Sequence, residues 1–167
     1  RPMAGDTALA GPLQQRIAER VRATPRFLHQ LALNALQRRP PLDWLGRLEA
    51  GGDGALDLKL QGTALFVDAA RLLGLAQGIA GSGTHERLEG AGRGLGLAAG
   101  EYESWTGAFD FLQNLRLRVQ LDPQAAASEH PNRLELAGLS DIDRRILAAS
   151  LREARSLQQR LALDWAR

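Results

Sequence analysis

The stretch YESWTGAFDFLQNLRLRV, residues 102–119, decides the fold class. Its apolar residues Tyr102, Trp105, Phe109, Leu112, Leu115 and Val119 step by three and four, the spacing that stacks side chains on one face of an α-helix. Aromatic residues dominate that face, and large rings at helical spacing are buried far more often than they form a platform for a ligand. The stretch therefore reads as the central core helix.

Reading outward towards the C-terminus, residues 123–131 form a polar, Ala-rich linker bounded by prolines. Ser140-x-x-Asp143 then has the form of a capping box opening a last helix. Leu147, Leu151, Ala154, Leu157, Leu161 and Trp165 supply its apolar face. Towards the N-terminus lies a Gly-dense segment, residues 80–100. Within it Gly94-Leu95-Gly96-Leu97-Ala98-Ala99 matches the G-x-G-x-x-A dinucleotide pattern in form. That pattern needs a buried strand before it, whereas residues 84–93 are polar and helix-like, so the segment reads as a loop. Thr84 is expected to cap a short helix. Before it, Leu65, Ala69, Leu72 and Ala76 define another helix, ended by Gly78 and Gly81.

The period changes once. Leu56, Leu58 and Leu60 alternate with Asp57, Lys59 and Gln61 after Gly51-Gly52-Asp53-Gly54, which predicts a small hairpin within residues 42–61. Ahead of it two helices are expected. One carries Leu13, Ile17 and Val21. The second starts at Thr24-Pro25, carries Leu28, Leu31, Ala32, Ala35 and Leu36, and stops at Pro40-Pro41. The fold class is all-α: a bundle of about five or six helices with one small β-hairpin. No repeat is visible, and residues 1–167 read as a single domain.

Composition agrees with this. Hydrophobic residues make up 44% of 167 residues, aromatics only 5%, and Leu and Ala outnumber the β-branched residues. There is no Cys, and three scattered His offer no metal-ligand spacing, so no metal site is expected. Every apolar run is broken by polar residues well short of the roughly 18 needed for a membrane span. The expected location is the cytoplasm. The pI is 9.9, yet the net charge is only +2, because 21 basic residues face 19 acidic ones. Lys59 is the lone lysine, and the arginines interleave with Glu and Asp. That pattern describes a solvated, ion-paired surface and not a nucleic-acid groove.

No nucleophile elbow, Walker loop or zincin motif is present, so no catalytic residue is expected. What stands out is charge at regular intervals: Asp57-Leu58-Lys59, Asp68-Ala69-Ala70-Arg71 and Thr84-His85-Glu86-Arg87-Leu88. With Arg1-Pro2 through Gly5-Asp6, Asn34-Ala35-Leu36 before Arg39-Pro40-Pro41-Leu42, Leu115-Arg116-Leu117-Arg118 and Leu139-Ser140, this series resembles the nucleotidyltransferase substrate-binding domain. That domain ends bacterial proteins joining CBS or cyclic-nucleotide-binding modules to a nucleotidyltransferase domain. Ala64 departs from the family's usual proline.

The resemblance implies an accessory domain whose partner is an upstream catalytic domain like the protein-PII uridylyltransferase. That partner would supply the transfer chemistry, Mg²⁺ and nucleoside triphosphate. It further implies a nucleotide or a protein as acceptor, and it is compatible with a homodimer. Asp57, Lys59, Asp68, Arg71, Thr84, Arg87 and Arg116 are the candidate substrate-binding residues. Lys59, Arg71, Arg87 and Arg116 are expected to line a basic cleft for a phosphate or an acidic acceptor. The competing structural reading is a salt-bridged network of Asp57, Lys59, Asp68 and Arg71 that fixes the hairpin on the bundle. A third reading is a non-catalytic relay between sensor and catalytic domains. Arg22 and His29 also fit the Arg-x4–6-His spacing of helical-bundle RNases, but Pro25 breaks the helix that would align them.

Overall fold

Proline and glycine divide the chain where the backbone chemistry requires. A computed structural model describes residues 7–49, 51–122 and 130–166. Among the described residues are six helices and one two-stranded antiparallel sheet. After a short 3₁₀ turn, α1 spans Ala10–Arg22 and α2 spans Pro25–Ala35, with Pro25 in the first turn, where its missing N–H costs nothing. Strand β1 (Ala55–Asp57) leads through a π-helical turn, Lys59–Thr63, into α3, Ala64–Gln77. Gly78 ends α3 with φ of 70°, a left-handed conformation that disfavours a side chain. Next come α4 (Thr84–Gly94), α5 (Ala99–Leu121), β2 (Arg133–Glu135) and α6 (Asp141–Trp165).

Helix α3 is the axis of the bundle. It touches α1, α2, α4 and α6, while α5 packs along α4 and α6. Its side chains Leu65, Phe66, Ala69, Ala70, Leu72 and Leu73 are all buried. Phe66 meets Phe109 of α5 at a ring-centroid distance of 6.2 Å and a tilt of 57°, within the range favoured by aromatic pairs. Leu112, Leu147, Leu151, Leu157 and Leu161 fill the space between α5 and α6. The stripe that decided the fold class is thus core, although Tyr102 and Val119 at its ends are only partly covered.

The sheet is less local than the alternation of leucines predicts. β1 pairs with β2 and not with a neighbouring strand, in the register Ala55 with Glu135, Leu56 with Leu134 and Asp57 with Arg133. Leu56 and Leu58 are buried as expected, but Leu60 is 45% exposed, because the chain has already left the extended conformation and entered the π-turn. Residues 42–48 form only a single antiparallel bridge, Leu42 to Leu48. The Gly-rich segment is the end of α4 and a loop with Gly96 at φ of 68°, and no strand precedes it. Ser140 caps α6, its hydroxyl oxygen accepting the Asp143 N–H at 3.1 Å. Most of the expected linker, residues 123–129, lies outside the described residues, as do residues 1–6.

One helix departs from its expected burial. Of α1, only Val21 is buried, and Leu13 and Ile17 face solvent at 60% and 42% exposure. An amphipathic pattern establishes which residues share a face; whether that face is covered depends on the rest of the molecule.

Candidate functional site

Asp57 builds the turn that carries Lys59. Its Oδ1 accepts the backbone N–H groups of Lys59 at 2.8 Å and Leu60 at 2.7 Å. In return the Gln61 Oε1 accepts the N–H of Asp57 at 2.8 Å. Thr63 donates its N–H to the Leu58 carbonyl at 2.9 Å, five residues back, which closes the π-turn. Lys59 is exposed and makes no ion pair among the described residues. π-Turns are rare and collect at functional sites.

Asn132 joins this turn to α5. Its carbonyl accepts the Leu58 N–H at 2.9 Å, while its side-chain oxygen accepts from Arg116 Nε at 2.6 Å and Gln120 Nε2 at 3.0 Å. Asn132 therefore links Arg116 to Leu58, the residue before Lys59. Arg116 is half-buried and bonded to a neutral amide, without a carboxylate partner among the described residues.

A second cluster lies on α3. Asp68 sits between Arg71 and Arg38, each 3.3 Å away, with both guanidinium side chains about half exposed. One carboxylate shared by two arginines leaves a net positive patch. No hydrogen bond or ion pair among the described residues links it to Asp57 or Lys59. Of the expected four-residue network, then, only the Asp68–Arg71 pair forms. The Asp57 carboxylate is spent on backbone N–H groups.

Arg87 and Thr84 belong to a different place. Arg87 donates from Nε to the Gly81 carbonyl at 2.8 Å, bracing the α3–α4 connection. Its stem lies so close to Gly74 that a Cβ there would stand 3.0 Å from Arg87 Cδ. Thr84 is the first residue of α4 and not its cap. Gly83 takes that position, and its N–H is accepted by the Glu86 carboxylate at 3.1 Å. The seven candidates thus resolve into Lys59 on a turn built by Asp57 and linked through Asn132 to Arg116, an Asp68–Arg71 pair, and Thr84 and Arg87 on α4, of which Arg87 braces the connection to α3.

Sequence reasoning missed Arg38, Gln120 and Asn132. Arg38 had a signal, standing at the end of the helix pattern beside Arg39-Pro40. Asn132 had none, since its role comes from pairing between β1 and β2. Among the described residues no group of three or more His, Cys, Asp or Glu is placed to hold a metal ion. No helix among the described residues is long and apolar enough to cross a membrane.

Electrostatics elsewhere reinforce the scaffold. The Arg133 guanidinium hydrogen bond, with the Ala55 N–H, holds the Asp53 carboxyl below its ordinary range. This bond ties the approach to β1 to the start of β2. Asp43 is likewise lowered, first by the Arg47 N–H and then by its guanidinium. His29, one member of the RNase-like spacing, donates from Nδ1 to the Trp165 carbonyl at 2.7 Å, tying α2 to the end of α6.

Residues 25–165 match the family described as "Putative nucleotidyltransferase substrate binding domain". The chain belongs to that family. The match spans α2 to α6 and every candidate residue, and it leaves α1 outside. No curated protein and no solved structure matches this substrate-binding domain.

Proposed function

We propose that the chain is the accessory substrate-binding and regulatory domain of a bacterial signal-transduction nucleotidyltransferase of the protein-PII uridylyltransferase type. Its partner is a nucleotidyltransferase domain of the same cytoplasmic protein, which supplies the transfer chemistry and holds Mg²⁺ with the nucleoside triphosphate. This chain anchors the phosphate-bearing or acidic substrate. The observation that carries the reading is the link through Asn132 between Arg116 and the turn that bears Lys59, both cations without a carboxylate partner among the described residues.

Charge-assisted hydrogen bonds from two such cations match phosphate oxygens. The Arg38–Asp68–Arg71 patch adds positive potential on the helix that follows the turn. Arg87 contributes by holding α4 in place.

Tripolyphosphate, which carries charge without a base, tests the reading by calorimetric titration. The Lys59→Ala, Arg71→Ala double variant is expected to bind at least about tenfold more weakly than the wild type, a loss of about 1.4 kcal/mol, at an unchanged melting temperature. Unchanged binding with a lowered melting temperature would make the cluster a structural device.

A second role is favoured by the exposed apolar stripe of α1. Leu13 and Ile17 form a face that a sensor or catalytic domain can cover, so the chain also relays a signal between them. Sensor modules of the CBS or cyclic-nucleotide-binding type fit this role.

A further inference from the structure

Trp44 is 86% exposed, although Trp105 in the same chain is 3% exposed. Disorder does not explain it, because the loop that carries Trp44 is fastened from several sides. Asp43 accepts the N–H and Nε of Arg47 at 2.8 and 3.0 Å. From α6, Arg155 donates to the carbonyls of Leu42 at 2.6 Å and Asp43 at 2.9 Å. Gln158 reaches the Arg38 carbonyl at 2.7 Å. The indole is thus an open ring on a fixed support.

Beside it runs a groove of about 640 Å³ between this loop and α6. That volume lies within the range of small-molecule sites. Six polar side chains line it: Asp43, Arg155 and Gln158 are used in fastening the loop, whereas Arg39, Glu49 and Gln159 make no side-chain hydrogen bond or ion pair among the described residues. An aromatic face, a cation, a carboxylate and an amide around one concavity match the parts of a nucleotide. An apolar protein surface seated on Trp44 would instead bury Arg39 and Glu49 without partners, at a cost in desolvation.

We propose that this groove binds a nucleotide, with the base stacked on Trp44 and the phosphate on Arg39. Glu49 accepts from an exocyclic amino group, which selects adenine, guanine or cytosine over uracil. The groove is a second site, separate from the Lys59–Arg116 turn. It rests on the reading above only in the class of ligand.

The test titrates the full chain with adenosine monophosphate, uridine monophosphate, adenosine and tripolyphosphate, reading indole emission and heat. Adenosine monophosphate is expected to quench emission and to bind more tightly than uridine monophosphate. Trp44→Ala, at an exposed position, should remove the quench and weaken binding about tenfold. Arg39→Gln should weaken the monophosphate but not adenosine, and Glu49→Gln should erase the preference between the two bases. Absence of a quench, its survival in Trp44→Ala, or equal binding of the two monophosphates would overturn the proposal. Tripolyphosphate carries no base, so its loss of binding in the Lys59→Ala, Arg71→Ala variant tests the first reading, while the base-dependent quench lost in Trp44→Ala tests this one, and failures of the two fall in different experiments.

Discussion

Gly92 and Gly107 show how the same residue type has opposite meanings at two helical positions. A Cβ at Gly92 would overlap the Cβ of Tyr102, so the glycine lets α4 and α5 approach. At Gly107, exposed in the middle of α5, nothing lies within 4 Å of that Cβ. Gly92→Ala is therefore expected to destabilise by about 1–3 kcal/mol through overpacking. Gly107→Ala should stabilise by about 0.5–1 kcal/mol through helix propensity. Urea denaturation of both variants checks the pair, and the same sign in both would refute it. The Asp53–Arg133 bond gives a prediction in pH. Because the folded carboxyl titrates below its unfolded value, its contribution is present above about pH 4 and is lost as pH falls through the lower folded value. Asp53→Asn should flatten that acid limb of the stability curve, and an unaltered limb would rule the bond out as a contributor.

At the scale of elements, helices were legible in the sequence and the sheet was only half so. A helix carries its periodicity within itself, so Tyr102 to Val119 and Leu147 to Trp165 announce their buried faces. Strand β1 pairs with residues far along the chain, and the leucine alternation runs on to Leu60 after the backbone has turned. The turn chemistry that stops the strand is carried by Asp57, whose carboxylate takes two N–H groups that a strand would have left to a partner. Likewise the stripe of α1 was legible as a stripe but not as an exposed one. Substituting Leu13 and Ile17 by Ser should change stability by no more than about 0.5 kcal/mol each, as is usual for surface positions. A large fall in melting temperature would show that the isolated chain already covers this face. The loop bearing Trp44 depends instead on α6. Arg155→Ala strips the Leu42 carbonyl of its donor and leaves the Asp43 carbonyl only the Gly46 N–H, and is expected to cost about 1–3 kcal/mol and to speed amide exchange in residues 42–48. Unchanged exchange would mean that the Asp43–Arg47 contacts hold the loop unaided.

For the whole molecule, charge was legible as a list of residues but not as a map. The intervals from Asp57 to Arg116 stand out in the sequence, yet only tertiary pairing through Asn132 links Arg116 to the turn that bears Lys59. The same pairing leaves Arg87 as a brace elsewhere. A helical scaffold thus holds two cations, Lys59 and Arg116, linked through Asn132 and without a carboxylate partner among the described residues, and an open indole on a separate loop. The first of these is the basis for assigning the chain a role in holding substrate. Nitrogen-15 correlation spectra recorded during a tripolyphosphate titration test it most directly. Shifts are predicted at the amides of Lys59 and Leu60, at the Arg116 side chain and at Asn132, whereas shifts confined to other surfaces, or none at saturating ligand, would contradict the account.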